Sequence, residues 1–146
     1  MAFSFGGEFR VGKKREEVHD FLVDPRRFGP LLPDFESVEM RDDRHGTVKL
    51  KVGISHIRGT AKVQLELAEN ERPKRATYQG KGSVAGGTVN FTAGFELAED
   101  AGGTRIQWKG EAQIFGRLVA MAGGLLEPLT QKNIQRVIDA LQKALS

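Results

Sequence analysis

Apolar residues recur at every second position over most of this chain, and the period becomes helical near the two ends of that run. Phe3, Phe5, Gly7, Phe9 and Val11 alternate with Ser4, Gly6, Glu8 and Arg10, which predicts a strand with one buried face. From Lys14 to Val23 the spacing of Val18, Phe21 and Leu22 predicts a helix. Asp24-Pro25 stops it, because Asp24 can cap a second short helix with Pro25 at its first position. That helix ends at Gly29-Pro30, and Pro30-Leu31-Leu32-Pro33 forms a rigid apolar connector. From Asp34 the period is two again. Val38 and Met40 precede a turn at Asp42-Asp43-Arg44-His45-Gly46; Val48, Leu50 and Val52 lead to a turn at Gly53 to Arg58. Ala61, Val63, Leu65 and Leu67 run to Asn70-Glu71-Arg72-Pro73. Ala76, Tyr78, Gly80, Gly82 and Val84 run to Gly86-Gly87, and Val89, Phe91, Ala93, Phe95 and Leu97 to Asp100-Ala101-Gly102-Gly103. Ile106, Trp108, Gly110, Ala112 and Ile114 complete the strands.

The last stretch, Gly116 to Ser146, predicts one long amphipathic helix or two helices meeting at a bend. Ile134, Val137, Ile138, Leu141 and Leu145 share one face, with Arg136, Asp139 and Lys143 opposite. The segment Leu118 to Leu126 carries no polar side chain. At 1.5 Å per residue it is roughly 13 Å of helix, far short of the ~20 residues that cross a bilayer. It should therefore be covered on most sides or touch something oily. Pro128 lacks an N–H and is expected to supply the bend. Leu118, Ala122, Leu125 and Leu129 form a stripe turned away from the later one, so a straight rod could not present both to one core.

The order is thus strand, two helices, six strands and a long helix. Strands joined by turns of a few residues pair antiparallel, and a sheet with one apolar face needs a cover that the terminal helix supplies. The expectation is one α+β domain over residues 1–146: a curved seven-stranded antiparallel sheet wrapped around a long C-terminal helix, with two short helices after the first strand. On three consecutive strands small residues stand at inward positions: Gly80 and Gly82, Ala93, then Gly110 and Ala112. These either bend the sheet and let the helix dock closely, or leave a cavity.

The charge balance, 22 Lys and Arg against 19 Asp and Glu, is slightly positive. The basic residues fall in small groups (Lys13-Lys14-Arg15, Arg26-Arg27, Lys49 and Lys51, Arg72 with Lys74 and Arg75), which read as a mixed solvated surface or as attraction to acidic headgroups or an acidic partner. There is no basic and apolar leader at the N-terminus, and no cysteine, which fits a cytoplasmic protein and excludes thiolate chemistry. His19, His45 and His56 have no metal-ligand spacing. No GxSxG elbow is present, and Ser55 and Ser83 have no base partner at this level. Gly80-Lys81-Gly82-Ser83-Val84-Ala85-Gly86-Gly87 is no phosphate loop, because a strand follows where a helix N-terminus is needed. Nucleic-acid binding lacks a dense basic face and surface aromatics. No catalytic residue, metal or cofactor is assigned.

Several pieces in order carry a family resemblance: Arg15-Glu16-Glu17-Val18 with Asp24-Pro25; Leu32-Pro33 and Phe35-Glu36-Ser37-Val38; Val48-Lys49-Leu50-Lys51-Val52-Gly53; Gly80-Lys81-Gly82 before Gly86-Gly87; and the Gly-rich apolar helix start. The chain resembles the helix-grip domains of START and Bet v 1 type, and more closely the CoxG family of carbon monoxide dehydrogenase subunits. The resemblance implies an elongated apolar cavity between sheet and helix. Many members of that family continue past this helix, whereas this chain stops at Ser146.

The expected wall of such a cavity is Tyr78, Gly80, Phe91, Ala93, Phe95, Trp108, Ala112, Leu118, Ala122, Leu125 and Leu129, with Tyr78 and Trp108 the only aromatics able to offer a ligand a buried hydrogen bond. The favoured expectation is a non-enzymatic binder of an apolar small molecule, a lipid or quinone-like compound. The resemblance sets it beside a carbon monoxide dehydrogenase-type molybdenum hydroxylase, recruited to or coupled with the inner membrane face, with the metal, iron-sulfur and flavin groups on other subunits. The alternatives are a polyketide cyclase-like enzyme, which would need converging polar groups, and an interaction module whose apolar helix start docks a partner.

Overall fold

The computed structural model describes residues 1–54, 57–84 and 86–146. Strand β1 (Ala2–Val11) is followed by α1 (Arg15–Leu22), α2 (Pro25–Phe28), a 3-10 turn (Gly29–Leu31), β2 (Phe35–Met40), β3 (His45–Ile54), β4 (Ile57–Glu71), β5 (Arg75–Val84), β6 (Gly87–Asp100), β7 (Gly103–Gly116) and α3 (Arg117–Ala144). The strands form one antiparallel sheet in the order β1-β7-β6-β5-β4-β3-β2. Only the β1–β7 pairing is not a hairpin, and it is what brings α3, leaving β7, back across the sheet.

Local chemistry sets the joints. Asp24 accepts from the Arg26 amide at 3.0 Å with Pro25 at the first helical position, so α2 starts as its sequence requires. Ala101 and Gly102, both at positive φ, turn β6 into β7. Gly116 enters α3 at φ 89°, and the Arg117 amide donates to the Gly86 carbonyl at 3.2 Å. Of the turn expected at residues 53–58, Gly53 and Ile54 belong to β3, and Ile57 and Arg58 to β4. Ser55, His56 and Ala85 lie outside the described residues.

The helix α3 corrects two expectations. The backbone leaves helical geometry at Ala122 (φ −139°, ψ 15°), not at Pro128, which sits within helical backbone. Gly123-Gly124 follows the break, and glycine costs a helix up to ~1 kcal/mol per residue against alanine, so the chain yields there. Leu125 is 52% exposed and Leu126 is buried in its place. The buried stripe then steps by four through Leu118, Ala122 and Leu126, and reaches Leu141 and Leu145.

Three apolar clusters hold the fold. Phe3, Ile57, Ala61, Val84 and Ile114 pack against Leu118, Ala122 and Leu126 at the start of α3. Val11, Val18, Leu97 and Ile106 pack against Leu141 and Leu145 at its end. Leu67, Ala76 and Tyr78 lie under Val23 and Phe28, at the α1–α2 cover.

Candidate functional site

Between the clusters at the two ends of α3 lies a band that neither fills. On the sheet, Val63, Phe91, Ala93, Trp108 and Ala112 point inward by strand parity, are only half buried and join none of the three clusters. On α3 the same holds for Leu129, Ile134 and Ile138. Inward apolar side chains in a filled interior would be covered.

The small residues in the band do different work. A β-carbon on Gly80 would collide with the ring of Phe91, its cross-strand partner, so Gly80 is small to admit that ring. Gly7 does the same for Trp108, whose indole Nε1 lies 3.3 Å from where a Gly7 β-carbon would stand. Gly110 is different. A β-carbon there would meet only the Thr92 carbonyl oxygen, at 3.7 Å, so the space over it is open.

A separate open groove of about 820 Å³ crosses all seven strands, and no residue of α3 lines it. Its axis is the cross-strand row Phe3, Ala112, Phe91, Gly80, Leu65, Gly46 and Met40. Its lining comes from strands alone, and most of it, including Ser4, Gln64, Gln79, Lys81, Asn90 and Glu111, stands at positions that face away from α3 by strand parity, so this space is a polar groove on the outer face of the sheet.

The expected wall residues thus take several places. Gly80, Phe91 and Ala112 lie in the cross-strand row that the outer groove follows, and Phe91, Ala93, Trp108, Ala112 and Leu129 stand in the band. Leu118 and Ala122 are spent in the first cluster, Phe95 packs between the second and third beside His19, 6.0 Å between ring centres, and Leu125 faces out. Tyr78 is buried, stacks edge-on with Phe28, and donates its hydroxyl to the Leu22 carbonyl at 2.8 Å. Burial, with the Asp24 charge nearby, pushes its phenol pKa well above the ordinary value of 10.0. Its hydrogen bond therefore ties α1 to the sheet. Val63, Leu65, Ile134 and Ile138 were readable as inward by parity and helical spacing, and only the pairing register shows that Val63 stands against Gly82 and Leu65 between Gly80 and Gly46. His19 is buried on α1, with Nε2 3.3 Å from the Arg75 carbonyl oxygen.

At the end where α3 starts, Met1, Phe115, Met121 and Leu125 are all exposed, with Met121 60% open. Met1 exchanges backbone hydrogen bonds with Ile114, and its methyl lies 3.1 Å from where a Gly123 β-carbon would stand, so the strand end and the helix form one apolar tip. Among the described residues, no helix is long and apolar enough to cross a membrane.

The family model for CoxG, a carbon monoxide dehydrogenase subunit, matches residues 7–146 of this chain. No curated protein matches it. Among solved structures, a conserved protein from Geobacillus kaustophilus is similar at TM-score 0.86 and 19% identity, covering 98% of this chain and 95% of that one. A START superfamily protein from Mycobacterium smegmatis is similar at TM-score 0.73 and 8% identity, covering 97% and 96%. The di-domain ARO/CYC BexL from the BE-7585A biosynthetic pathway is similar at TM-score 0.69 and 14% identity, covering 99% of this chain and 50% of that protein.

Proposed function

The chain belongs to the CoxG family of carbon monoxide dehydrogenase subunits, and from that premise we propose that it binds an apolar small molecule, lipid or quinone-like, in the unfilled band under α3. The observation that carries this reading is the set of half-buried apolar side chains between the two end clusters, with open space over Gly110. Water held against apolar walls is unfavourable, and an empty apolar void forfeits packing, so such a band is stabilised by an oily guest. The apolar tip at Met121 and Leu125 supports an oily source, the surface of a bilayer, at the end where α3 begins. The setting would be that of an accessory protein that brings a carbon monoxide dehydrogenase-type enzyme to that surface.

This reading assigns no catalysis. Fold likeness to an ARO/CYC protein is the support for a cyclase reading. The chain's single tyrosine has its hydroxyl committed to Leu22, which leaves that reading without its best acid. The test is solvent extraction of the purified protein, native and after incubation with lipid and quinone mixtures, followed by mass spectrometry. A stoichiometric apolar compound is expected, and none in either sample overturns the binding reading.

A further inference from the structure

The basic groups read from the sequence take two forms in the structure. Arg15, Arg72 and Arg75 are tied up: they stand 3.8 Å from Glu99, 2.8 Å from Asp20 and 3.3 Å from Glu71. The cations on β3, β4 and β5 are not. Lys49 stands directly opposite Lys62 across the β3–β4 ladder, with Lys51 opposite Thr60 and Arg58 opposite Gly53 further along the hairpin. Lys62 pairs with Ser83 and Gln64 with Lys81, which sets Lys81 diagonal to Lys62. By strand parity all five side chains stand on the face turned away from α3. No Asp or Glu occurs at positions 46–65, 80–95 or 112–126. The edge strand β2 carries Glu36 and Glu39, yet among the described residues none of the five cations makes an ion pair. Like charges directly opposite one another weaken a sheet, and this chain brings no carboxylate into ion-pair reach of Lys49 and Lys62.

Resting on the bilayer source proposed above, we propose that this patch docks the protein on a membrane whose leaflet carries anionic phospholipid headgroups. The patch and the apolar tip stand at one end of the sheet. Ile57 and Ala61 of the same hairpin pack with Leu118 and Ala122 at the start of α3. Arg117, exposed at that start, lies along Gly86 in the β5–β6 turn. The exposed Met1, Phe115, Met121 and Leu125 thus share their end of the molecule with unpaired cations. A soluble acidic protein would answer the charges and leave those apolar side chains unmet. An acidic leaflet answers both, since headgroup phosphates take the charge and the acyl boundary takes the tip. The long Lys and Arg stems let cations set back along β3, β4 and β5 reach the headgroup layer while the tip is seated. A neutral leaflet engages the tip alone. The patch therefore adds a choice of membrane to the binding function.

Flotation with vesicles tests this directly. Each cation near an acidic leaflet is worth roughly a 5-fold change in partitioning. The wild-type protein should partition onto equimolar phosphatidylcholine and phosphatidylglycerol at least ~10-fold better than onto phosphatidylcholine alone, and high salt should remove the difference. Lys49→Gln with Lys62→Gln should lower partitioning onto the acidic vesicles by about 10- to 30-fold and leave the neutral ones unaffected. That double variant should melt no lower than the wild type, because the repulsion between the two is gone. Lys13→Gln with Lys14→Gln removes as many charges at the far end of the sheet, beside Leu145, and should leave flotation as it was. Equal partitioning onto the two vesicles, or an equal loss in the two double variants, overturns the docking. Competition by inorganic phosphate beyond that of chloride at matched ionic strength makes the patch a free-anion site, and binding to polyglutamate but not to acidic vesicles makes it a dock for an acidic protein; either overturns the lipid assignment. N-phenyl-1-naphthylamine, a neutral fluorescent probe of the apolar band, should bind the Lys49→Gln, Lys62→Gln protein as it binds the wild type. Failure of that probe to bind either protein, with flotation as expected, overturns the binding reading and leaves the docking in place.

Discussion

Filling the band separates an unfilled interior from a packed one. Gly110→Val puts a branched side chain into space where the new β-carbon meets only the Thr92 carbonyl oxygen, at 3.7 Å. In a close-packed core, the added carbons would force neighbours apart and cost about 1–3 kcal/mol. In the band they should do the reverse. Removing a strand glycine regains roughly 0.5–1 kcal/mol, and partial burial of the valine adds a similar amount by area. A net gain of about 1 kcal/mol raises Tm by about 2–4 °C for a domain of this size. The same valine occupies the floor of the site, so probe binding should fall by at least ~10-fold, about 1.4 kcal/mol of lost contact. Gly80→Ala is the control, because its β-carbon collides with the Phe91 ring and should cost about 1–3 kcal/mol. Thermal unfolding by circular dichroism and probe titration read both effects. A Gly110→Val protein that melts several degrees lower refutes the reasoning, since the interior would then already be full.

Three further perturbations address other parts of the molecule. Leu126→Ala should cost about 2–5 kcal/mol as a core truncation, while Leu125→Ala, at an exposed position, should stay within about 0.5 kcal/mol; equal urea midpoints for the two would return α3 to the register with Leu125 inward. Leu125→Arg should leave stability unchanged and reduce flotation with neutral phosphatidylcholine vesicles, and unchanged flotation removes the apolar tip from membrane contact. Tyr78→Phe loses the bond to Leu22, about 1 kcal/mol at neutral pH. Because burial raises the folded phenol's pKa above its ordinary 10.0, the folded state holds the proton more tightly. The wild-type stability tied to that group is complete below pH 10 and declines as pH rises beyond it. Urea midpoints at neutral and strongly alkaline pH should therefore fall further for the wild type than for Tyr78→Phe.

The strands were legible because alternation in a half-covered sheet has one physical cause, and the observed cross-strand row from Phe3 to Met40 follows the parity read from the chain. The register of α3 was less so. Leu125 and Leu126 are adjacent leucines, and only the break at Ala122 decides which one is buried. Proline is the louder signal for a bend, but the Gly123-Gly124 pair is the softer backbone, and strain goes where resistance is least. The role of each inward glycine was also beyond sequence. Gly80 and Gly110 read alike, yet one is small to seat an aromatic ring and the other borders open space. What stands opposite a residue comes from pairing register and rotamer, which no single strand encodes. The same limit hid the difference between Tyr78 and Trp108, since Leu22 reaches Tyr78 only through the docking of α1.

An interior left open needs its walls held from elsewhere, and the placement of the clusters meets that need. Leu118, Ala122 and Leu126 fasten the first part of α3 to the sheet, and Leu141 and Leu145 fasten its end. The span between them, carrying Leu129, Ile134 and Ile138, can then stand off the sheet without leaving the fold. The two fastenings are not equivalent. The C-terminal one is shared with α1 through Val18, and is stitched by the Lys13 amide to the Leu145 carbonyl at 2.9 Å. The N-terminal one is interrupted: Leu118 lies between two points where the backbone departs from helix, Gly116 at φ 89° and Ala122 at φ −139°, and Leu126 follows the second. Residues 117–121 between those points form little more than one helical turn, too short to persist as a helix alone. Opening that turn exposes one anchoring leucine, Leu118, whereas opening the other end must also part α1 from the sheet. Under the proposed binding function, a guest would enter the band at least cost where Met121 and Leu125 already present apolar surface to the surroundings.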